Sequence, residues 1–284
     1  MKMINNYKRN LHIMNHDIPL KMYRTIQAEA AKTIYQSTCH FLTIDNTGNP
    51  KPHASGVFAK IENKYFLLTA GHVIDDCVND IYIVIKQGES LLKLGGEWTI
   101  NKPETTREKD KIDVAILKLD NETIDKIDEA YRFIELDSIE TNHSAKKLPM
   151  YLSLGFPASM SKYNSYKKEL KSTPFPYITM CADDSVYKNL GCDPKVNLIA
   201  HYDKKNVLDY KSNKKKIGPD PFGISGSGLW YIPVTEVTKT FNINKKLVAI
   251  MTEWPLENRN YWIGTRIDMF TKIIRNKYNL DIPQ

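Results

Sequence analysis

The sequence predicts an all-β fold in two halves, with a helix at each end. From residue 39 onward, short apolar segments alternate with turns rich in Gly, Asn and Pro, a pattern typical of an all-β barrel or sandwich. A polar stretch at 142–144 separates the two β-rich halves. The chain has 284 residues and a hydrophobic content of 42%, which suits one or two compact domains with a substantial core.

An amphipathic helix precedes the first predicted strand. Met22, Ile26, Ala30 and Ile34 recur at every fourth position in a stretch rich in Ala, Gln and Glu, so their side chains share one face. We expect this helix to lie on a larger body. Residues 1–20 show no such period and are predicted to be irregular.

Each half is predicted to contain several short strands, because β-branched and aromatic residues cluster between turn residues. The predicted strands of the first half are 39–44, 56–61, 65–69, 81–85 and 114–119, and those of the second half are 150–157, 177–180, 196–201, 229–232, 247–252 and 261–267.

Three other segments have a distinct character. The polar residues 101–111 predict an exposed loop, and 124–131 predict a short helix. A final helix is predicted with Asp268 as its N-cap, because Phe270, Ile274 and Tyr278 share one face.

Composition excludes several classes of protein. The N-terminus lacks the apolar stretch of a signal peptide, and no transmembrane run occurs. The four cysteines form no C-x-x-C pair, so neither disulfides nor a metal site is expected. We therefore expect a cytoplasmic protein without membrane contact. The net charge of +7 is moderate and is typical of a solvated surface.

Three motifs indicate nucleophilic catalysis. His72 directly follows the apolar strand that ends at Thr69, and Asp113 precedes the strand segment Val-Ala-Ile-Leu. Ser225 lies in the turn Gly-Ile-Ser-Gly-Ser that starts at Gly223. A serine in a glycine turn can present its hydroxyl beside backbone N–H groups, and acyl transfer needs both. A partly buried Asp can orient an imidazole.

With these motifs in the order His, Asp, Ser, residues 38–270 resemble the chymotrypsin-like (trypsin-like) serine proteases, of a bacterial type without disulfides. The resemblance implies two six-stranded antiparallel β-barrels with the active site between them. It predicts an N-terminal extension at 1–37, a first barrel at 38–136, a linker at 137–148, a second barrel at 149–267 and a C-terminal helix and tail at 268–284. The Ser-Gly-Ser form of the turn is most similar to bacterial glutamyl endopeptidases and exfoliative toxins.

The resemblance also implies a role for each motif residue. Ser225 would be the nucleophile, His72 the general base and then acid, and Asp113 the residue that orients His72. The backbone N–H groups of Gly223 and Ser225 would form the oxyanion hole. Thr252 occupies the position of a small hydroxyl residue that bonds the aspartate. Such an enzyme hydrolyses protein or peptide substrates and needs no cofactor or metal.

One departure from the family leaves an alternative open. Ile224 stands where zymogen-activated relatives have an aspartate that pairs with a freed N-terminus. Activity is then constitutive, or a regulatory protein partner orders the turn, or the chain is a catalytically silent pseudoprotease that acts as a binding module. An α/β-hydrolase is excluded because no histidine follows Ser225.

Residues of the specificity pocket are less defined. His201 could line the pocket or be a hydrogen-bonded strand residue, and Asp220 could favour a basic substrate side chain or serve a turn. Trp254 could border the cleft or cap the core. The lysine-rich segment 204–216 could contact nucleic acid, but its lysines are not interleaved with a pattern of aromatic residues for base stacking, so a solvated loop is favoured and nucleic acid is not expected as a partner.

Overall fold

The computed structural model describes residues 20–75, 77, 80–85, 90–103, 106–107, 110–127, 130–147, 150–208, 214–233 and 244–283. Its helices are α1 (Leu20–Tyr35), α2 (Asn121–Ile127), α3 (Asp184–Asn189) and α4 (Ile267–Tyr278). Its strands are β1 (Thr38–Ile44), β2 (Pro50–Ile61), β3 (Lys64–Thr69), β4 (Tyr82–Ile85), β5 (Ser90–Lys93), β6 (Gly96–Ile100), β7 (Ala115–Leu119), β8 (Tyr151–Gly155), β9 (Ser161–Asn164), β10 (Glu169–Ser172), β11 (Phe175–Thr179), β12 (Asn197–His201), β13 (Val207–Leu208), β14 (Lys215–Lys216), β15 (Gly228–Tyr231), β16 (Lys246–Glu253) and β17 (Tyr261–Arg266).

The strands form two curled antiparallel sheets, so the all-β prediction is confirmed. The first sheet has seven strands in the order β5-β4-β1-β2-β3-β7-β6, where the resemblance implied six. The second has six strands in the order β11-β8-β15-β16-β17-β12. Strands β9–β10 and β13–β14 form separate hairpins. Register shifts in β1, β15 and β16 interrupt the ladders, and such bulges increase strand twist and help a sheet to curl.

One hydrophobic core joins the sheets to each other and to the terminal helices. It contains Val57 and Phe66 from the first sheet and Leu152 and Trp230 from the second. Helix α1 adds Ala30 and Ile34, and helix α4 adds Phe270 and Ile274, as their spacing predicted. Burial of each large apolar side chain contributes about 1.5–3 kcal/mol, so the two helices brace the junction between the sheets.

Three helical and loop predictions need correction. Helix α2 starts at Asn121 because the Asp120 carboxylate accepts the N–H of Thr123 at 2.8 Å. Asp268 lies in the first turn of α4 and does not cap it, because its carboxylate accepts the N–H of Asn142 at 2.6 Å. The described part of the polar segment 101–111 is not simply exposed: the Arg107 side chain is 17% exposed and Asp110 is 9% exposed.

Some predictions lie outside the described residues. These are the irregular segment up to residue 19, the side chains of Met22 and Ile26, and Lys211. The domain boundaries at 136 and 148 stay predictions.

The stability of the fold should depend on pH through His40. This residue is 3% exposed and stacks on Phe156 with ring centroids 4.9 Å apart. Burial, with repulsion from His53, lowers the pKa of His40 from 6.5 to about 4. Between these values the unfolded chain binds a proton that the folded chain does not, so stability falls as the pH drops from 6.5 towards 4, by about 3 kcal/mol in total.

The variant His40→Phe keeps the aromatic stack and removes the titrating group. Urea unfolding at pH 7.5 and pH 4.5 should show a smaller loss of unfolding free energy in the variant than in the wild type. Equal losses in both proteins would contradict the assignment to His40.

Candidate active site

His72 and Asp113 form a tight pair at the end of two neighbouring strands. Strand β3 ends at Thr69 and pairs with Ala115 at the start of β7, so the residues just beyond each end meet. The Nδ1–H of His72 donates to Oδ2 of Asp113 at 2.5 Å, and the backbone N–H of His72 donates to Oδ1 at 2.9 Å. Because the carboxylate holds Nδ1–H, Nε2 is left as the ring nitrogen that can accept a proton.

An arginine that sequence reasoning missed supports this carboxylate. Nη1 of Arg107 lies 3.6 Å from Oδ1 of Asp113 and 3.1 Å from Asp110. Its Nε and Nη2 donate to Asp75 at 2.7 and 2.8 Å, and these bonds raise the pKa of the guanidinium. Gly71 leaves room for the cluster, since a Cβ there would lie 2.7 Å from Oδ1 of Asp113.

The glycine turn with Ser225 belongs to the second sheet but is held by the first. The N–H of Ser55, on β2, donates to the carbonyl of Ser225 at 2.9 Å. The Thr69 hydroxyl donates to the carbonyl of Ser55 at 2.9 Å. A Cβ on Gly226 would lie 2.0 Å from the Ser55 carbonyl oxygen, so only glycine permits this approach. The turn therefore packs against the end of the strand that leads to His72.

Two backbone donors of the turn have no acceptor within the described part of the chain. They are the N–H groups of Gly223 and Ser225, whereas those of Ile224 and Gly226 donate to Pro221 and Met251 at 2.9 and 2.7 Å. This leaves the donors predicted for an oxyanion hole without protein partners. Over the same residues, no hydrogen bond joins Nε2 of His72 to Oγ of Ser225.

Two other residues of the Ser225 turn, Ile224 and Ser227, have buried side chains. Ile224 is 3% exposed in an apolar cluster of the second sheet. Ser227 is fully buried, and its Oγ lies 3.3 Å from Oγ of Ser153. The second serine of the Ser-Gly-Ser turn is therefore part of the core.

A small, partly open cleft lies beside Ser225. Its lining is mostly apolar: Pro221, Ile224, Ser225, Met251, Thr252, Glu253, Trp254 and Trp262. The Glu253 carboxylate forms an ion pair with Lys111 at 2.6 Å, which joins the first half of the chain to the cleft wall. The Trp254 indole N–H donates to the carbonyl of Arg259 at 3.0 Å, and this fixes the ring at the border of the cleft.

Thr252 lines the cleft as predicted but has a different hydroxyl partner, and Asp220 is paired outside the cleft. The Thr252 hydroxyl donates to the carbonyl of Ile263 at 3.2 Å rather than to Asp113, although Thr252 does line the cleft. Asp220 forms an ion pair with Lys204 at 2.6 Å and is not among the residues that line the cleft.

His201 also lies away from the cleft. It pairs with Tyr261 in the β12–β17 ladder, and their ring centroids lie 4.9 Å apart. Trp262 lines the cleft, and successive side chains of a strand point to opposite faces, so Tyr261 and His201 lie on the other face. This strand position, not the chemistry of the residue, decides its role.

Two further properties concern the described residues only. None of their helices has the length and apolar character needed to cross a membrane. They contain no group of three or more His, Cys, Asp or Glu residues arranged to hold a metal ion.

No protein-family model and no curated protein matches the chain. Among solved structures, the chain is similar to the serine endoprotease from Yersinia pestis, with a TM-score of 0.50 and 14% sequence identity. The likeness covers 88% of this chain and 65% of that protein, so the chain spans about two thirds of its length. It supports the architecture of two curled antiparallel sheets, which is that of the chymotrypsin-like fold.

Arg107 should contribute strongly to stability. The change Arg107→Met leaves the carboxylates of Asp110 and Asp113 close together without their cation, and we expect a loss of about 2–3 kcal/mol in unfolding free energy. The control Lys126→Met breaks an exposed pair with Glu122 and should cost about 0.5 kcal/mol or less. Urea unfolding of both variants tests this, and equal losses would refute it.

Proposed function

We propose that this protein is a serine endopeptidase that hydrolyses peptide bonds through an acyl-enzyme intermediate. The observation that supports this most directly is the buried Asp113 carboxylate bound to Nδ1 of His72, with the Ser225 turn held against the same strand end by Ser55. The two-sheet fold and the structurally similar serine endoprotease support the same reaction class.

The proposed chemistry assigns one step to each group. Nε2 of His72 takes the proton from Ser225 Oγ as the oxygen attacks the scissile carbonyl, and Asp113 stabilises the imidazolium that forms. The N–H groups of Gly223 and Ser225 donate to the developing oxyanion. His72 then returns the proton to the leaving amine, and water hydrolyses the acyl-enzyme by the same route. In substrate-free enzymes, hydrogen bonds between catalytic groups are often long and tighten when substrate binds.

The setting of the cysteines supports a reducing compartment. No disulfide joins Cys39, Cys77, Cys181 or Cys192 to another cysteine in the described part of the chain. Burial raises the pKa of Cys181 and of Cys192 to about 11, which makes these thiols inert at neutral pH. We therefore propose that the protein acts in the cytoplasm, and the proposed reaction implies a protein or peptide substrate there.

Active-site labelling tests the proposed function. A fluorophosphonate probe should label the wild type and leave Ser225→Ala unlabelled. Peptide hydrolysis by Ser225→Ala or His72→Ala should fall by a factor of at least about 10³, because the nucleophile or its base is lost.

The control for labelling is Ser153→Ala, which removes another buried hydroxyl of the second sheet and should still be labelled. If a folded wild type takes up no probe and cleaves no protein or peptide, the enzyme proposal is wrong and the pseudoprotease remains.

The cleft predicts a preference for apolar side chains of modest size at the residue before the scissile bond. Asp220 is paired elsewhere, and Glu253 is neutralised by Lys111, so an arginine there would be desolvated without a free partner. We expect matched peptides with alanine or valine to have a kcat/KM at least about tenfold above that of arginine, since 1.4 kcal/mol is tenfold.

The variant Lys111→Met frees the Glu253 carboxylate and should raise the kcat/KM ratio of the arginine peptide to the alanine peptide. The control Lys93→Met breaks an exposed pair with Asp80 and should leave the ratio unchanged. A wild type that prefers arginine would contradict this account of the cleft.

A further inference from the structure

A buried hydroxyl from the first sheet holds the backbone of the Ser225 turn. Ser55 is fully buried, and its Oγ donates to the carbonyl of Gly223 at 2.7 Å. The same Oγ accepts the N–H of Phe156 at 3.0 Å. A hydroxyl has one hydrogen to donate. Because the N–H of Phe156 occupies one side of Oγ, the hydroxyl hydrogen of Ser55 is directed towards the carbonyl of Gly223.

A second bond fixes the preceding peptide. The N–H of Ala158 donates to the carbonyl of Phe222 at 2.7 Å. The C=O and N–H of a planar trans peptide point in opposite directions, so this bond turns the N–H of Gly223 away from Ala158. The carbonyls on both sides of that N–H are therefore anchored, one by Ala158 and one by Ser55.

Gly223 needs such anchors because its backbone is intrinsically free. Its φ is +92°, and glycine populates this region as readily as its mirror image. A side chain is excluded, since a Cβ would lie 2.5 Å from the carbonyl oxygen of Phe156. Without outside contacts, the two peptides next to Gly223 could rotate and carry its N–H out of place.

The neighbouring Ile224 cannot supply an ionic anchor. Its side chain is 3% exposed among apolar residues that include Tyr151, Met251 and Trp262. The contacts that fix the carbonyls on both sides of the Gly223 N–H are then hydrogen bonds from β2 and from the short turn at Ala158–Met160.

We propose that Ser55 is a positioning residue of the candidate site: its hydroxyl holds the Gly223 carbonyl so that the oxyanion donors are formed on folding, without cleavage of the chain. This role rests on the proposed function. It predicts that loss of the hydroxyl weakens transition-state binding more than substrate binding, because oxyanion donors act mainly when charge develops on the carbonyl oxygen.

The test compares Ser55→Ala with Ser153→Ala. Both remove a buried hydroxyl, but Ser153 bonds Ser227 and not the turn carbonyls. For a peptide that the wild type cleaves, Ser55→Ala should lower kcat by about 10-fold to 100-fold and change KM by less than about threefold. Ser153→Ala should change both constants by less than about threefold. The labelling rate with fluorophosphonate should follow kcat.

A second variant keeps the test decisive if Ser55→Ala does not fold. Ala158→Pro removes the N–H that holds Phe222, at the first position of a helical turn, where proline is tolerated. Pro157 before it has φ −58° and ψ 133°, which suits a residue that precedes proline. A fall in kcat with a constant KM supports positioning of the turn by these bonds.

The outcomes separate the two proposals. An active wild type with unchanged kcat in Ser55→Ala, or in Ala158→Pro where Ser55→Ala does not fold, overturns the role of Ser55 alone. A rise in KM with constant kcat also overturns it, because that pattern marks lost substrate binding. A folded wild type that shows neither labelling nor cleavage removes the proposed function, and with it this role.

Discussion

Ser55 joins the two sheets at the candidate site. Its N–H donates to Ser225, its carbonyl accepts from Thr69, and its hydroxyl donates to Gly223. Because Ser55 is fully buried, each of these groups would cost about 1–3 kcal/mol if left unpaired. The partners are therefore strongly favoured, and they set the position of the Ser225 turn relative to the strand that leads to His72. The geometry of the site therefore depends on this junction as well as on the His72–Asp113 pair within the first sheet.

The sequence predicts those parts of the structure that depend on local patterns. Strand and turn residues predict the two sheets, and the spacing of Ala30, Ile34, Phe270 and Ile274 predicts the helix faces that pack between them. The order of His72, Asp113 and Ser225 also indicates the candidate site. Ser55 escapes notice because its bond to Gly223 spans 168 positions, and an isolated buried serine in a strand has no sequence signal.

The sequence left the roles of some residues open because a residue's type does not fix the direction of its side chain. His201 is one strand position away from the face that borders the cleft, and register alone decides this. Asp220 is bound by Lys204, an ion pair that the lysine-rich segment could have suggested. Arg107 was hidden in a polar segment that resembles a solvated loop, although it binds Asp75, Asp110 and the carboxylate next to His72.

The groups that hold the Ser225 turn differ in kind from an ion pair at position 224, and the difference bears on how the site forms. An aspartate at position 224 would need a cation delivered by a new N-terminus, so the turn would take its shape only after cleavage. Ser55 and Ala158 instead offer a hydroxyl and an N–H that are in place once β2 and the 158–160 turn have folded. These groups are neutral, so burial costs far less than burial of an ion pair. A turn held in this way acquires its shape from the closure of the two sheets, and an isoleucine at position 224 then strengthens the apolar packing beneath it.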